Sequence, residues 1–363
     1  MAQAHSRATA LSNSWEDQEL KNPQRMHDRF LRFGCKPTQV GFRGFDTVDI
    51  RKHNFDGQGI YTFNGRTDSV NQRAHMNPMG ERSKFFAERS LEVFKEMYPR
   101  DAQSPDHLIH VTCTGYISPS APQRLVNDND WNGKTAVTHA YHMGCYAAMP
   151  AIRMAIGTFN DPSSAKFLTR TDVVHTEICT LHMDPSESAP DQMVIHSLFA
   201  DGHIKYSLYP AGSLERGFKV LAIQEKIIKD SAQDMTWVPT EWGFHMGLSR
   251  DVPAKIGAEL RSFMENMAKQ ANCDLGDLMK KSAFAIHPGG PRIIDSVQEI
   301  LELRADQTAD SKEVLFERGN MSSATLPHVW QKLEKRNLAS GTKVVSLAFG
   351  PGLTIFGAIF QVI

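Results

Sequence analysis

The sequence predicts an α/β protein, because short apolar runs rich in strand-forming residues alternate with amphipathic stretches of helix length. LIHVTCTGY (108–116) is typical of a buried strand that ends in a turn, and RSLEVFKEMY (89–98) is typical of a helix before it. The chain closes with KVVSLAFGPGLTIFGAIFQVI, which predicts two apolar strands around the FGPGL turn. Both halves show strand, helix and strand in similar order, which suggests an internal duplication without a visible sequence repeat.

A helix is predicted over CYAAMPAIRMAIGTF (145–159), whose apolar residues have helical spacing. It either begins near Met149 or is kinked at Pro150, because a proline beyond the first turn removes a backbone donor. The other predicted elements are strands over 172–182 and 192–210 around a turn at Asp201-Gly202, helices over 251–271 and 291–303, and a strand over 282–290.

Composition indicates an ordinary globular protein without a global charge field. The 363 residues include 40 basic and 41 acidic side chains, for a formal charge of −1, which excludes a strongly basic nucleic-acid or membrane-surface binder. The opening stretch has no apolar segment of the export-signal kind, and no run is long enough to span a bilayer. We therefore expect a cytoplasmic protein that binds neither nucleic acid nor membrane.

The cysteines argue against a disulfide framework and leave room for a functional thiol. They are five in number, widely spaced and without a CxxC pair. Histidines cluster between residues 175 and 203, but no second ligand group stands at motif spacing, so no metal site is predicted. The cysteines are Cys35, Cys113, Cys145, Cys179 and Cys273.

Three segments place a reactive side chain beside small residues at an element boundary: HMGCYAAMPAIRMA with Cys145, AIHPGGPRIID with His287, and ERGNMSSAT with Asn320. Singly, each has a structural explanation, as a buried thiol, a structural histidine or a helix cap. Together they form a nucleophile with a base and an orienting amide, able to polarise a thioester carbonyl. A following helix should lower the pKa of Cys145 below its usual value of about 8.5.

The same triple allows other functions. The chain order Cys, His, Asn fits a papain-like protease, but the local cysteine signature is absent and Cys145 lies mid-chain. A hydrolase that cleaves acyl thioesters or amides, and a catalytically silent partner subunit, remain open alternatives.

The three segments, with VTCTGYISPSAPQRLV (111–126), SLFADG (197–202), FHMGLSRDVPAKI (244–256) and LAFGPGLT (347–354), resemble the chalcone synthase or type III polyketide synthase family. The resemblance extends from about residue 108 to the end. It implies a thiolase-like fold with two pseudo-duplicated αβαβα halves in a five-layered core, and a homodimer. The implied division is an arm over 1–30 and halves over 31–215 and 216–363.

The resemblance also implies roles for single residues. Cys145 is similar to the family's acyl-accepting nucleophile, and His287 and Asn320 to the pair that stabilises its thiolate or the enolate. Phe199 and Phe244 match the two phenylalanines that gate the entrance tunnel.

Pocket residues follow from the same resemblance. Cys179 and His182 fall where the family tunes its cavity, and Ser118 falls where a side chain closes the partner's pocket. Gly350 and Pro351 belong to the turn that shapes the active-site floor. Plant members usually have two glycines shortly after the nucleophile, so Met149 in the AAMPA segment implies a bulkier acyl pocket.

The implied activity is condensation of acyl thioesters, carried by coenzyme A or an acyl carrier protein, without a cofactor. The extender is a malonyl or β-ketoacyl thioester. TGYISPSAPQ and GCYAAMPA are similar to bacterial members that join two β-ketoacyl chains and release an α-pyrone. Candidates for binding the coenzyme A phosphates are Arg66, Arg73, Arg82 and Lys84.

Overall fold

A computed structural model describes residues 22–47, 60, 77–161, 168–184 and 187–363. Most of the predicted arm, residues 1–21, lies outside this part, and helix α1 begins at Pro23. Asn22 caps it by accepting a 2.9 Å hydrogen bond from the Gln24 amide. Within the described residues, no helix has the length and apolar character needed to cross a membrane.

The helices predicted from apolar periodicity are confirmed. The helix after Cys145 begins at Ala148, so Pro150 falls in its first turn, where a proline removes no intrahelical hydrogen bond. In chain order the helices are α1 Pro23–Phe33, α2 Met79–Met97, α3 Ala121–Asp128, α4 Ala148–Asn160, α5 Pro190–Leu198, α6 Val252–Gln270, α7 Leu275–Lys281, α8 Pro291–Ile300, α9 Ala305–Arg318 and α10 Thr325–Lys335.

Two larger sheets and one hairpin hold the strands, with the order β2-β1-β3-β4 in the first sheet and β5-β10-β9-β8 in the second, and β6 paired with β7. In each large sheet a parallel pair, β1/β3 or β8/β9, is followed by an antiparallel strand, β4 or β10. The strands are β1 His107–Thr112, β2 Ala136–Tyr141, β3 Thr171–Ile178, β4 Asp201–Leu208, β5 Phe218–Ile227, β6 Met235–Pro239, β7 Phe244–Leu248, β8 Ala283–Ile286, β9 Lys343–Gly350 and β10 Thr354–Val362.

This shared pairing pattern is the structural form of the duplication that the sequence suggested. The predicted division at residue 215 falls between β4 and β5, that is, between the last strand of one sheet and the first of the other. The exact domain boundaries stay a prediction.

Helices and sheets alternate in five layers, as expected for a thiolase-like fold. Helices α2 and α3 cover the outer face of the first sheet, and α6 and α8 cover the outer face of the second. Between the sheets lie α4 and α10. Helix α4 turns small residues, Ala151 and Ala155, toward β1, and Met149 toward α10 and the second sheet. Alanines on one face let a helix approach a sheet closely while larger side chains fill the opposite gap.

One predicted strand is wrong. The residues before Phe199 form helix α5, and Asp201-Gly202 begins β4 rather than a turn. A short apolar run such as QMVIHSLF suits either element, and tertiary contacts decide. Here Pro190 starts the helix, Met193 packs on Met26 of α1, and the Arg43 guanidinium donates to the His196 and Phe199 carbonyls at its end.

Substituting Met149 by alanine should destabilise the protein by about 2–5 kcal/mol, because this side chain is fully buried between the sheets and its loss leaves a cavity. Urea unfolding followed by circular dichroism measures the change. The matched control is Leu214→Ala, at a loop side chain that is 43% exposed, where the effect should stay within about 0.5 kcal/mol. Equal unfolding midpoints for both variants would contradict this packing.

Candidate functional site

A cavity of about 240 Å³ lies between the ends of β1 and β3, the β6–β7 hairpin and the Ser322 turn. Its wall combines thiols with aromatic rings and few charges, a composition suited to an acyl chain. Among the side chains expected from sequence, those that line it are Cys145, Cys179, His182, Phe199, Phe244 and Pro351.

Cys145 enters this cavity from a short 3₁₀ turn, Gly144–Tyr146, which leads into α4. Gly144 before it has φ +72°, and a Cβ there would come within 2.6 Å of the Pro351 ring. Glycine is therefore required both by the left-handed backbone and by the close approach of the FGPGL turn. The 3₁₀ turn, packed against the FGPGL turn at Gly144, fixes the direction of the Cys145 sulfur.

The Cys145 thiol is protonated in the resting site. Burial raises its pKa to about 12, and hydrogen bonds from Ser322 and Asn320 only partly offset this effect. The expectation of a lowered pKa is therefore wrong for the resting chain. The sulfur sits in a 3₁₀ turn ahead of α4, and desolvation outweighs the helix terminus.

Asn320 is held in the orientation that presents its amide nitrogen to the sulfur. Its side-chain oxygen accepts hydrogen bonds from the Ser322 N–H, at 2.9 Å, and from the Thr325 hydroxyl, at 3.3 Å. With the oxygen occupied, the Nδ2 group faces Cys145. The capping role that the sequence allowed for Asn320 is thus also what orients it.

His287 follows β8 and is fixed by its backbone, whose N–H donates to Leu347 at 2.7 Å. The ring is buried, and neither nitrogen has a hydrogen-bond partner among the described residues. Burial lowers its pKa to about 3, so the imidazole is neutral. A buried neutral imidazole with both nitrogens free is available to a ligand. Neither His287 nor Asn320 is among the residues that line the cavity wall.

Sequence analysis missed the polar network behind Cys145. Glu177 is fully buried and accepts hydrogen bonds from the Cys113 N–H at 3.0 Å, from the Thr114 hydroxyl at 2.9 Å, and from Ser323. Burial raises the pKa of this carboxyl, and its donors offset part of that rise. A glutamate in the otherwise uncharged end of a buried strand, HTEI, was the available signal.

Ser322 connects this network to Cys145. Its hydroxyl lies 2.9 Å from the Cys113 sulfur and 3.8 Å from the Cys145 sulfur. Its backbone has φ +49°, a left-handed conformation that costs a non-glycine residue about 1–2 kcal/mol. Strain of this kind persists where the surrounding structure demands it, and here it places the hydroxyl between two thiols.

Three expected pocket residues lie elsewhere. Met149 is in the core between the sheets, because α4 turns it away from the cavity. Gly350 ends β9 against the Tyr146 ring, where a Cβ would clash at 2.2 Å, and only its neighbour Pro351 reaches the cavity. Ser118 is exposed and is not among the residues that line this cavity, so its role across a dimer stays a prediction.

The candidate phosphate-binding residues divide between buried, exposed and undescribed positions. Arg66 and Arg73 lie outside the described residues. Arg82 is buried and donates to the Asn77 and Leu181 carbonyls, which is a structural role. Lys84 is at the surface in an ion pair with a neighbouring glutamate.

Within the described ranges, no group of three or more potential metal ligands comes together. The clustered histidines have other contacts. His175 bonds Ser323 at 3.0 Å, His182 bonds the Thr114 carbonyl at 2.8 Å, and His203 bonds Asp46 at 2.5 Å.

Replacing Ser322 by alanine should slow alkylation of Cys145 by iodoacetamide about fivefold at mildly alkaline pH. Loss of the hydroxyl removes a hydrogen bond that lowers the Cys145 pKa, so less thiolate is present. Peptide mass spectrometry at each cysteine measures the rate. Ser323→Ala is the control, since that hydroxyl bonds Glu177 and not Cys145. Equal rates in the two variants would contradict the assigned contact.

Comparison with known families identifies both halves of the chain. The model for the N-terminal domain of chalcone and stilbene synthases matches residues 62–206, and the model for the C-terminal domain matches residues 219–363. A probable polyketide synthase of Dictyostelium discoideum is 29% identical over 259 residues. That match covers 70% of this chain and 8% of the Dictyostelium protein, so the chain spans a small part of this relative's length.

Solved structures share the fold. The C-terminal type III polyketide synthase domain of a type I/III hybrid from Dictyostelium superposes with a TM-score of 0.78 at 23% identity, covering 99% of this chain and 94% of that domain. A polyketide synthase of the brown alga Ectocarpus siliculosus gives 0.78 at 21% identity, covering 100% and 94%.

The tetrahydroxynaphthalene synthase of Streptomyces coelicolor A3(2), a bacterial type III polyketide synthase, gives a TM-score of 0.70 at 23% identity, over 78% of this chain and 81% of that one. At these identities the structures establish the fold, whereas the two domain matches cover most of the sequence. The chain belongs to the chalcone and stilbene synthase family of type III polyketide synthases.

Proposed function

We propose that the protein is a ketosynthase of polyketide biosynthesis, which condenses acyl thioesters through an acyl group bound to Cys145. The observation that carries this proposal is a buried thiol at the cavity wall, hydrogen-bonded by the Asn320 amide, in a chain whose two halves match this family. The remaining details of donor, extender and product rest on chemistry rather than on bound substrate.

In the loading step, the Cys145 proton moves to the neutral His287 imidazole as the sulfur attacks the thioester carbonyl. The carbon–sulfur bond to the donor breaks, and the departing thiolate takes that proton from His287. Because both groups start neutral, no net charge is created in the buried site. The raised pKa of the thiol and the lowered pKa of the imidazole disfavour a thiolate–imidazolium pair before attack, so the proton transfer is concerted with attack on the carbonyl.

In the condensation step, a malonyl thioester loses CO₂ and leaves an enolate, whose carbon attacks the acyl carbonyl on Cys145. A carbon–carbon bond forms and the bond to the Cys145 sulfur breaks, which releases a thiolate that takes up a proton from solvent. The β-ketoacyl product stays on the thiol that carried the malonyl group. The Asn320 Nδ2–H and a His287 N–H stabilise the enolate oxygen as neutral donors. In a cavity with little water, fixed donors of this kind lower the barrier more than they do in bulk solvent.

Phe199, Phe244 and Cys179 line the cavity, which supports a role for the two phenylalanines as its gate. We propose acyl-coenzyme A or an acyl carrier protein as donor, a homodimer in which Ser118 reaches the partner's pocket, and the cytoplasm as compartment. All groups that the scheme uses belong to this chain or to the substrate, so it needs no cofactor.

Cys145→Ala should abolish the acyl adduct that intact-mass spectrometry detects after incubation with an acyl-coenzyme A, because the nucleophile is gone. Cys113→Ala and Cys179→Ala are matched controls, since both thiols line the same cavity. Each should still gain one acyl mass. An adduct that persists on Cys145→Ala would refute the assignment of the nucleophile.

Asn320→Asp should slow condensation about 100-fold relative to loading, because it places a carboxylate where the enolate charge develops while keeping the oxygen that caps Ser322. Chromatography of products from an acyl starter with malonyl-coenzyme A measures condensation, and intact mass measures loading.

The wild-type products decide between the remaining activities. A lengthened chain from malonyl-coenzyme A supports extension, and an α-pyrone formed only from β-ketoacyl thioesters supports chain joining. Free acid without any lengthened product would establish a hydrolase and overturn the proposal. Absence of both acyl adduct and product would establish a silent subunit.

A further inference from the structure

The β6–β7 hairpin forms one wall of the cavity and carries the gate residue Phe244. It pairs with no other strand among the described residues, and a two-stranded sheet alone is marginally stable in water. Its position over the cavity therefore depends on contacts with the body of the protein, which include a backbone hydrogen bond from Met79 to Glu241 and several side-chain hydrogen bonds.

Two side-chain hydrogen bonds at the boundary between hairpin and body end on successive carbonyls just beyond β1. The Trp237 indole N–H, from the hairpin, donates to the Cys113 carbonyl at 2.7 Å. The His182 Nε2–H, from the body, donates to the Thr114 carbonyl at 2.8 Å. The Cys113–Thr114 turn therefore has two roles. It places Cys113 in the network around Glu177, and it anchors the hairpin side of the cavity.

His182 makes a second bond that reaches the gate directly. Its Nδ1 accepts the Phe244 backbone N–H at 3.1 Å, and its ring stacks on the Phe244 ring with centroids 4.4 Å apart and planes 6° apart. The Trp237 ring meets both rings edge-on, at 5.4 Å. A carbonyl can only accept, so the Nε2–H tautomer is required, and it leaves Nδ1 free to accept from Phe244.

We propose that His182 is a positioning residue, which fixes Phe244 relative to Cys145 and so sets the range of acyl chain lengths that reach the nucleophile. This inference rests on the proposed acyl transfer at Cys145. It differs from the sequence expectation, in which His182 shapes the cavity by its size alone. Both ring nitrogens are used by backbone groups, so the side chain acts on the gate rather than on substrate.

Two substitutions separate the two bonds. His182→Gln reaches the place of Nε2 and can still donate to Thr114, but offers no acceptor to Phe244. His182→Asn carries an oxygen near the place of Nδ1 and stops short of Thr114. His139→Gln is the control for the same substitution elsewhere, since His139 is exposed, bonds Ser120 and lies outside the cavity wall.

The decisive quantity is the ratio of Cys145 loading rates with dodecanoyl-coenzyme A and acetyl-coenzyme A, measured by intact mass. This ratio does not depend on the fraction of folded enzyme, because both substrates meet the same population. We expect it to change about fivefold or more in both His182 variants, as loss of one net hydrogen bond would produce, and to stay constant in His139→Gln. An unchanged ratio in both His182 variants would overturn the proposal.

Two further measurements keep the inference testable if these variants load poorly. Trp237→Phe leaves His182 in place and removes the hydrogen bond to the Cys113 carbonyl. It should therefore shift the ratio of loading rates in the same direction as the His182 variants do. Hydrogen exchange at the Phe244 amide should speed up in His182→Gln and not in His182→Asn, independently of activity. Equal exchange at the Phe244 amide in the two variants would contradict the proposed role of His182. Failure of the wild type to load any acyl group would instead refute the proposed function.

Discussion

The hydrogen bonds of Asn320 connect the two halves of the molecule and the reactive sulfur in one arrangement. Its backbone N–H donates to Leu198 at 3.0 Å and its carbonyl accepts from Ala200 at 2.9 Å, which joins the second half to the end of α5 in the first. Its side chain caps Ser322 and faces Cys145. The donor that the chemistry needs is therefore placed by the same bonds that assemble the fold, so little reorganisation is required during reaction.

Burial sets the charge state of this site. Desolvation raises the pKa of Cys145 and lowers that of His287, which leaves both groups neutral in a protein interior where an isolated charge would be costly. Glu177 is buried too, but both of its oxygens accept hydrogen bonds. In the proposed scheme, negative charge develops where Asn320 and His287 offer N–H groups.

In the proposed scheme, access to the Cys145 sulfur depends on a separate part of the structure, the β6–β7 hairpin. The β6–β7 hairpin, which carries Phe244, belongs to neither large sheet. Hydrogen bonds of His182 and Trp237, which reach the Cys113–Thr114 turn, help to hold it in position. The Cys113–Thr114 turn thus contacts both the network around Glu177 and the hairpin. A change in that turn would alter both the network behind Cys145 and the width of the passage.

The sequence alone determined the α/β class, the long helices and the FGPGL hairpin, because apolar periodicity and glycine or proline at element ends are local properties. It also indicated Cys145, His287 and Asn320, since each stands in a distinctive short motif. Tertiary structure decided the rest. Tertiary contacts make residues 190–198 a helix and place Met149 in the core and Gly350 outside the cavity wall. They also bring Glu177 and Ser322 together behind Cys145. These outcomes depend on residues that are distant in sequence and on desolvation, which a local pattern does not encode. The pKa of Cys145 rose for the same reason, because burial is a property of the assembled layers and not of the residues beside the cysteine.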